Sequence, residues 1–270
     1  MNIFQAILYG IIQGITEFLP VSSTAHLTLL PWIAGWQDPG VSFDVALHIG
    51  TAAAVIMFFI KDWLRIIKAG FSSPHSKDGK LFWLVVLATI PGGIAGVILD
   101  KYMSDIRNPL LIGIMLIIMG VFLYVADKFG KKETELENMT VKKSLAIGLS
   151  QILAVIPGVS RSGITMTVGR FSGVNRESAA KFTFLMSAPI ILADALYHAK
   201  DMVSSQIDAV PFIVAVLTSA IVGALSIKFL LNYLKTKGFT VFTIYRFAFG
   251  AFIIAMFFIR GGTYCFKQPA

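Results

Sequence analysis

The sequence predicts an all-α polytopic membrane protein built as an inverted-topology repeat. The apolar fraction is 56%, the mean hydropathy is +0.76 and only 14% of residues are charged, whereas charged residues make up about a quarter of a soluble domain. Several apolar runs of about 18 residues or more can cross a hydrocarbon core of about 30 Å. The predicted full spans are 42–60, 82–99, 109–126, 179–198, 210–231 and 239–259.

Two further apolar segments, 1–40 and 144–173, are interrupted by short polar loops. Pro20 and Pro157 should each end a helix, because proline lacks an amide donor and restricts the residue before it. The Ser and Thr residues that follow are good N-caps for a second half-helix. Non-helical backbone at membrane depth is tolerated where it lines a polar cavity. We therefore predict two re-entrant helix-loop-helix hairpins.

One hairpin followed by three spans, occurring twice, predicts two repeats. The first covers 1–127, a mixed-charge linker covers 128–143, and the second covers 144–270. An odd number of spans in each repeat inverts the second one, so that one hairpin enters from each side of the membrane. Many transporters share this arrangement, with their site near the midplane.

The distribution of basic residues predicts the orientation. Four segments between the spans hold sixteen of the 23 Lys and Arg residues, which places them in the cytoplasm and both termini outside. These segments are 61–80, 127–143, 170–181 and 228–237. The net charge of +8 is then explained by loops that face anionic lipid, and nucleic acid is not an expected partner. The single Cys265 excludes an internal disulfide, and the N-terminal stretch lacks the basic region of a cleaved signal peptide.

The first hairpin carries an unusual set of polar side chains. In chain order they are Gln13, Glu17, Ser22, Ser23, Thr24 and His26. A carboxylate at membrane depth costs roughly 3 kcal/mol on insertion scales, so Glu17 should face the protein interior unless it lies at the interface. Gln13 shares its helical face. The hydroxyls can serve as helix caps, as a phosphate cradle, or as both, and His26 either reaches the same pocket or packs locally.

The second hairpin carries Ser160, Arg161, Ser162 and Thr165. The planar guanidinium of Arg161 suits phosphate oxygens, and the alternative is an arginine that extends to the headgroups. Arg246 allows two interpretations, a structural partner or a substrate contact.

Two pairs, Asp44/His48 and Asp194/His198, have i, i+4 spacing on predicted helices. We interpret both pairs as structural hydrogen bonding or rim residues in preference to a metal site.

The two hairpins together supply an acid, an imidazole, several hydroxyls and an arginine. Phosphoryl transfer needs a positioned nucleophile and cationic stabilisation of the developing charge, often with a divalent ion. Acyl transfer fits less well, because no intramembrane Asp or Glu is evidently placed to orient His26.

These motifs resemble those of the bacterial undecaprenyl-diphosphatase family, also called bacitracin-resistance proteins. The matching residues are Gln13-x-x-x-Glu17-Phe-Leu-Pro-Val-Ser22-Ser23-Thr24-x-His26 and Pro157-Gly-Val-Ser160-Arg161-Ser162-Gly-x-Thr165, and the likeness spans the whole chain. Two departures are Gln13, where many members carry a second Glu, and Ala25, where Gly is frequent. The first departure weakens a metal site made of two carboxylates.

The resemblance implies an enzyme of the bacterial inner membrane that converts undecaprenyl diphosphate to undecaprenyl phosphate and recycles the lipid carrier for cell-wall synthesis. It also implies interlocking hairpins, a site open to the outer side, and a requirement for Mg²⁺ or Ca²⁺ with Glu17 as the one clear protein ligand. A homodimer is compatible with the sequence, which does not fix the oligomeric state.

We expect Arg161 to hold the phosphates, Ser23 to be the nucleophile, Glu17 the base, and His26 the acid or the activator of water. Attack by water, with Ser23 as a ligand, is the alternative. The expected substrate-binding residues are Gln13, Ser22, Thr24, Ser160, Ser162 and Thr165. A competing function is an inverted-repeat transporter or flippase for a lipid phosphate or another anion, although transport does not require the clustered hydroxyls with Glu17 and His26.

Overall fold

The computed structural model describes residues 1–99, 107–130, 134–198 and 208–262, so Cys265 and part of the predicted linker lie outside it. The described residues are helical, with a single isolated β-bridge and no strand. The α-helices are α1 Ile3–Phe18, α2 Ser23–Ala34, α3 Val41–Phe58, α4 Ile60–Ser72, α5 Lys77–Leu99, α6 Pro109–Phe129, α7 Val141–Ser150, α8 Arg161–Phe171, α9 Arg176–Tyr197, α10 Ala209–Leu234 and α11 Thr240–Ile259. Short 3₁₀ turns cover Leu136–Asn138 and Gln151–Val155.

Five helices in the described ranges are long and apolar enough to cross a membrane, namely α5, α6, α9, α10 and α11. They match five of the predicted spans, which confirms a multi-pass membrane protein. The sixth predicted span is α3, which bends by 74° into α4.

The segment 61–80, between the first two predicted spans, is itself helical over most of its length. Most of it is α4 and the beginning of α5, which starts at Lys77 and not at residue 82. Helix α4 buries Ile66 and Gly70 on one side and exposes its basic residues on the other. A search for long apolar runs does not detect such an amphipathic helix, because charged residues interrupt its apolar residues along the sequence.

Both predicted hairpins consist of helices too short to cross a bilayer. Helices α1 and α2 have 16 and 12 residues, and α7 and α8 have 10 and 11. Helix α1 ends two residues before Pro20, and the 3₁₀ turn after α7 ends two residues before Pro157. The prolines therefore end these helices as predicted, whereas the inversion and the repeat boundaries stay predictions.

The two hairpin loops share an uncommon backbone conformation. Ser22 and Ser160 have φ values of 77° and 75°, and they are the two non-glycine residues with positive φ in the described ranges. Each is an N-cap whose hydroxyl accepts a hydrogen bond from the backbone amide three residues later. A non-glycine residue in such a region costs about 1–3 kcal/mol and persists only where its surroundings hold it.

The two halves of the chain pack into each other. Helix α1 packs along α10, α10 along α3, and α6 along α11. The approach of α1 to α10 requires a glycine, since a Cβ added at Gly14 would lie 2.8 Å from the backbone nitrogen of Gly223. This contact holds the C-terminal end of α1, with Glu17, inside the protein.

Candidate active site

One buried arginine joins the two hairpin loops. Arg246 of α11 has no exposed surface, and its guanidinium donates to the carbonyl of Pro20 at 3.0 Å in the first loop. It donates to those of Gly158 at 2.7 Å and Val159 at 3.2 Å in the second loop, and to that of Leu116 in α6 at 3.1 Å. Of the two interpretations open from the sequence, the structural partner is the one found. We call this residue with its four carbonyl acceptors the Arg246 clamp.

The first loop surrounds the Glu17 carboxylate with donors. Ser23 Oγ donates to Glu17 Oε2 at 2.7 Å, and Gln13 Nε2 donates to the same oxygen at 3.2 Å. All three side chains are buried. Gln13 and Glu17, four residues apart, thus share one helical face as the sequence predicted. Ser23 supplies the hydroxyl that donates to the carboxylate.

The second loop brings its arginine to the same carboxylate. Arg161 Nη2 lies 3.4 Å from Glu17 Oε1, while its Nη1 is buried without a hydrogen-bond partner in the described part of the chain. Ser160 and Ser162 stand beside it with their hydroxyls 3.2 Å apart, and Ser162 also donates to the carbonyl of Leu19 in the first loop. The predicted convergence of the two hairpins is therefore present in the structure.

His26 lies on the first turn of α2 but faces α11. Its Nδ1 lies 2.7 Å from the carbonyl of Ser22, and its Nε2 lies 2.6 Å from the hydroxyl of Tyr245. The ring stacks on Phe249, with 4.6 Å between centroids. Both nitrogens are thus bonded to groups other than Glu17 and Ser23.

His48 is the site residue that sequence reasoning missed. Its Nε2 lies 3.4 Å from Glu17 Oε2, and its Nδ1 donates to the carbonyl of Asp44 at 2.6 Å. The predicted local hydrogen bonding within the Asp44/His48 pair is confirmed, as it is for His198, whose Nδ1 lies 3.2 Å from the Asp194 carbonyl oxygen. The contact with Glu17 was not predicted, because a single histidine on an apolar helix gives no sign of its long-range neighbours.

The remaining predicted residues lie around this centre in supporting positions. Ser22 caps α2 and its carbonyl holds His26, and Thr24 is half-buried on the first turn of α2. Thr165 is fully buried, where its hydroxyl bonds to the backbone of its own helix and accepts a hydrogen bond from Thr183 of α9. Its hydroxyl is therefore engaged in helix packing, and its substrate contact stays a prediction.

Comparison with known proteins gives the family. The family model described as bacitracin resistance protein BacA matches residues 6–252. The chain belongs to the BacA family. The match includes both hairpin loops, the Arg246 clamp and every predicted site residue, so the family predicted from the two motifs is confirmed.

Proteins named undecaprenyl-diphosphatase are similar to this BacA-family chain over nearly its full length. The one from Moorella thermoacetica is 48% identical over 261 residues, which is 96% of this chain and 100% of the relative. The one from Desulforudis audaxviator is 48% identical over 262 residues, 97% of this chain and 100% of the relative. The one from Pelotomaculum thermopropionicum is 47% identical over 257 residues, 95% and 97% of the two chains.

We expect Arg246→Met to lower the free energy of unfolding by about 3 kcal/mol, because several buried carbonyls lose their donor at once. Arg246→Lys should fall between Met and the wild type, since an ammonium cannot span four acceptors. Thermal unfolding of the purified protein in detergent measures the effect. The exposed Lys235 provides a matched control as Lys235→Met, which should change stability by about 0.5 kcal/mol or less. Equal shifts in Arg246→Met and Lys235→Met would contradict the clamp.

Proposed function

We propose that this chain hydrolyses undecaprenyl diphosphate to undecaprenyl phosphate and inorganic phosphate, and so recycles the lipid carrier for cell-wall synthesis. The names of its relatives support this substrate. The observation that best supports phosphoryl transfer is the hydrogen bond from Ser23 to Glu17, next to Arg161, whose Nη1 has no hydrogen-bond partner among the described residues. A hydroxyl activated by a base and a cation at the phosphate are the parts that phosphoryl transfer needs.

We place the enzyme in the inner membrane of a bacterium with its site open to the outer side. The support is the excess of Lys and Arg in the segments assigned to the cytoplasm and the apolar helices α5, α6, α9, α10 and α11. The isoprenoid tail then lies in the lipid while the diphosphate enters between the two hairpin loops. The homodimer stays a prediction.

In the proposed first step Ser23 Oγ attacks the terminal phosphorus. Its proton passes to Glu17 Oε2, the oxygen to which it already donates at 2.7 Å. A bond forms between Oγ and phosphorus, and the bond from that phosphorus to the bridging oxygen breaks, so that undecaprenyl phosphate leaves. The product on the enzyme is a phosphoserine at position 23, which water then hydrolyses.

Arg161 supplies the cationic contact in this scheme. Its Nη1 is buried without a partner, and a buried donor left unpaired costs free energy that an incoming phosphate oxygen would recover. The helix α8 begins at Arg161, so free backbone amides at its N-terminus lie beside the guanidinium and favour the same anion. Ser160 and Ser162 add hydroxyls within that first turn.

The donor set is compatible with Mg²⁺ or Ca²⁺ held mainly by the substrate. Gln13 Oε1 is buried without a partner in the described residues, and Nε2 of the same amide donates to the Glu17 carboxylate. These two side chains are therefore the proposed ligands. No group of three His, Cys, Asp or Glu side chains in the described ranges is arranged for a metal ion. Divalent ions at phosphate sites are often held by one or two protein groups together with the phosphates, and such an ion would neutralise diphosphate charge.

His26 is proposed to act in the second step. It accepts the proton of the water that attacks the phosphoserine, while the bond from Ser23 Oγ to phosphorus breaks and Oγ regains from Glu17 the proton given up in the first step. His26 then releases its proton to the departing phosphate or to water. Its present hydrogen bonds leave one nitrogen, Nε2, able to accept a proton, because Nδ1 donates to a carbonyl oxygen.

Wild-type protein should release inorganic phosphate from a long-chain isoprenyl diphosphate in detergent with Mg²⁺ or Ca²⁺ present. Glu17→Ala and Arg161→Ala should each lower that rate by about 10²-fold or more, because each removes a charged group from the reacting centre. Lys235→Ala is the control. Detergent leaves no membrane to cross, so binding of the lipid without phosphate release would instead favour the transporter function.

Ser23 should carry a phosphoryl group during turnover. Rapid quenching with a substrate labelled in the terminal phosphate should trap label on wild-type protein and none on Ser23→Ala. Ser72→Ala keeps the label, since that exposed hydroxyl lies outside the site and bonds to the Lys68 carbonyl of its own helix. No trapped label, together with substantial activity in Ser23→Ala, would leave water as the nucleophile.

His48→Ala should lower kcat by about tenfold, because Glu17 loses one of the groups that hold Oε2 in place and hydrogen bonds to charged groups contribute about 1.5–3 kcal/mol. His48→Gln should retain more activity, since an amide can still donate. Steady-state kinetics in detergent measures both variants. His75→Ala, an exposed histidine in the loop before α5, is the control, and wild-type kinetics in His48→Ala would remove His48 from the site.

A further inference from the structure

The hydrogen bonds of His26 identify a partner that the proposed mechanism has not used. The Ser22 carbonyl can only accept, so Nδ1 carries the proton and Nε2 of the neutral ring is an acceptor. The group at Nε2 is the hydroxyl of Tyr245, 2.6 Å away, which therefore donates to it. This pairing joins two residues 219 positions apart in the sequence.

The ring of His26 is held on its faces as well as at its edges. Phe249 stacks on it with an interplanar angle of 12°, and Tyr245 is nearly parallel to it at 13° with 5.7 Å between centroids. Both aromatic residues lie on α11, four positions apart. The imidazole thus has one orientation, determined by α2 at Nδ1 and by α11 at Nε2.

The same helix fixes the loops and the imidazole. Arg246, the residue next to Tyr245, bonds to carbonyls of both loops, so that a fixed α11 sets the position of Tyr245 relative to Ser23. Tyr245 is 41% exposed, so packing in the protein core does not explain why a tyrosine hydroxyl is present at this position. That hydroxyl has a further lone pair, which is open to a second hydrogen bond.

We propose that Tyr245 is a positioning residue for His26. The Tyr245 hydroxyl holds Nε2 of His26 in its reactive orientation and passes protons to and from that nitrogen. The proposal rests on the role of His26 given above. When water attacks the phosphoserine, its proton goes to the Tyr245 oxygen as the phenolic proton goes to Nε2. As the bond from the water oxygen to phosphorus forms, the bond from Ser23 Oγ to phosphorus breaks, and Oγ takes back the proton that Glu17 holds. This leaves neutral tyrosine, an imidazolium and inorganic phosphate.

The hydroxyl serves both protonation states of His26. It donates to Nε2 when the ring is neutral, and it accepts from the N–H at Nε2 when the ring is charged. A carbonyl in its place could only accept, and an ammonium could only donate. Tyrosine therefore lets the ring cycle between the two states without losing its partner.

The test compares Tyr245→Phe with Tyr124→Phe in the full-length protein in detergent. Tyr124 on α6 is a matched control, because it is 39% exposed and its hydroxyl contacts only Lys128 among the described hydrogen bonds. We expect Tyr245→Phe to lower kcat for phosphate release by about tenfold, with KM and the thermal midpoint unchanged, since one hydrogen bond to His26 is lost. Tyr124→Phe should leave all three quantities at their wild-type values.

A double-mutant cycle with His26→Ala decides whether Tyr245 acts through His26. We expect Tyr245→Phe to have no further effect in the His26→Ala background, because the group it positions is gone. An equal loss in both backgrounds, a rise in KM alone, or unchanged kcat in Tyr245→Phe would each overturn the proposal. A wild-type protein that releases no phosphate would overturn the proposed function itself, so the two failures can be told apart.

Discussion

The site depends on the Arg246 clamp. The carbonyl groups of the two buried loops lie away from water, and each unpaired group of this kind costs several kcal/mol. One guanidinium bonds to carbonyls of both loops and of α6, so it satisfies these groups and sets the distance between the loops. The loop serines with positive φ persist because of such external restraints. Glu17 and Arg161 can meet only when the loops that carry them are held at this separation.

The sequence predicted the parts of the structure that are encoded locally. Apolar length indicated the spans, Pro20 and Pro157 indicated the breaks, and the two motifs indicated the loops that converge on Glu17. The parts that were not predicted depend on contacts between distant segments. His48 and Tyr245 lie on mainly apolar helices, and their partners come from segments 31 and 219 residues away. The local pattern around each carries no information about these contacts.

The surroundings of Glu17 explain how a carboxylate is tolerated inside the protein. A buried charge is stabilised only when opposite charges and donors accompany it. Here Ser23 and Gln13 donate to one oxygen, and Arg161 lies beside the other. The groups that make the carboxylate tolerable are also the groups that phosphoryl transfer requires. One set of side chains thus stabilises the buried carboxylate and carries the proposed reaction.

The position of Arg246 along the chain has a consequence for biosynthesis. A chain grows from its N-terminus, and its early segments emerge before its late ones. Pro20 and Gly158 are therefore made well before α11. Their carbonyls lack this guanidinium partner until Arg246, which 245 residues precede, has been added to the chain. The proposed active site can therefore form only near the end of translation. A chain that terminates before α11 would contain every predicted site residue of the two motifs, but it would lack the guanidinium that bonds to the carbonyls of both loops.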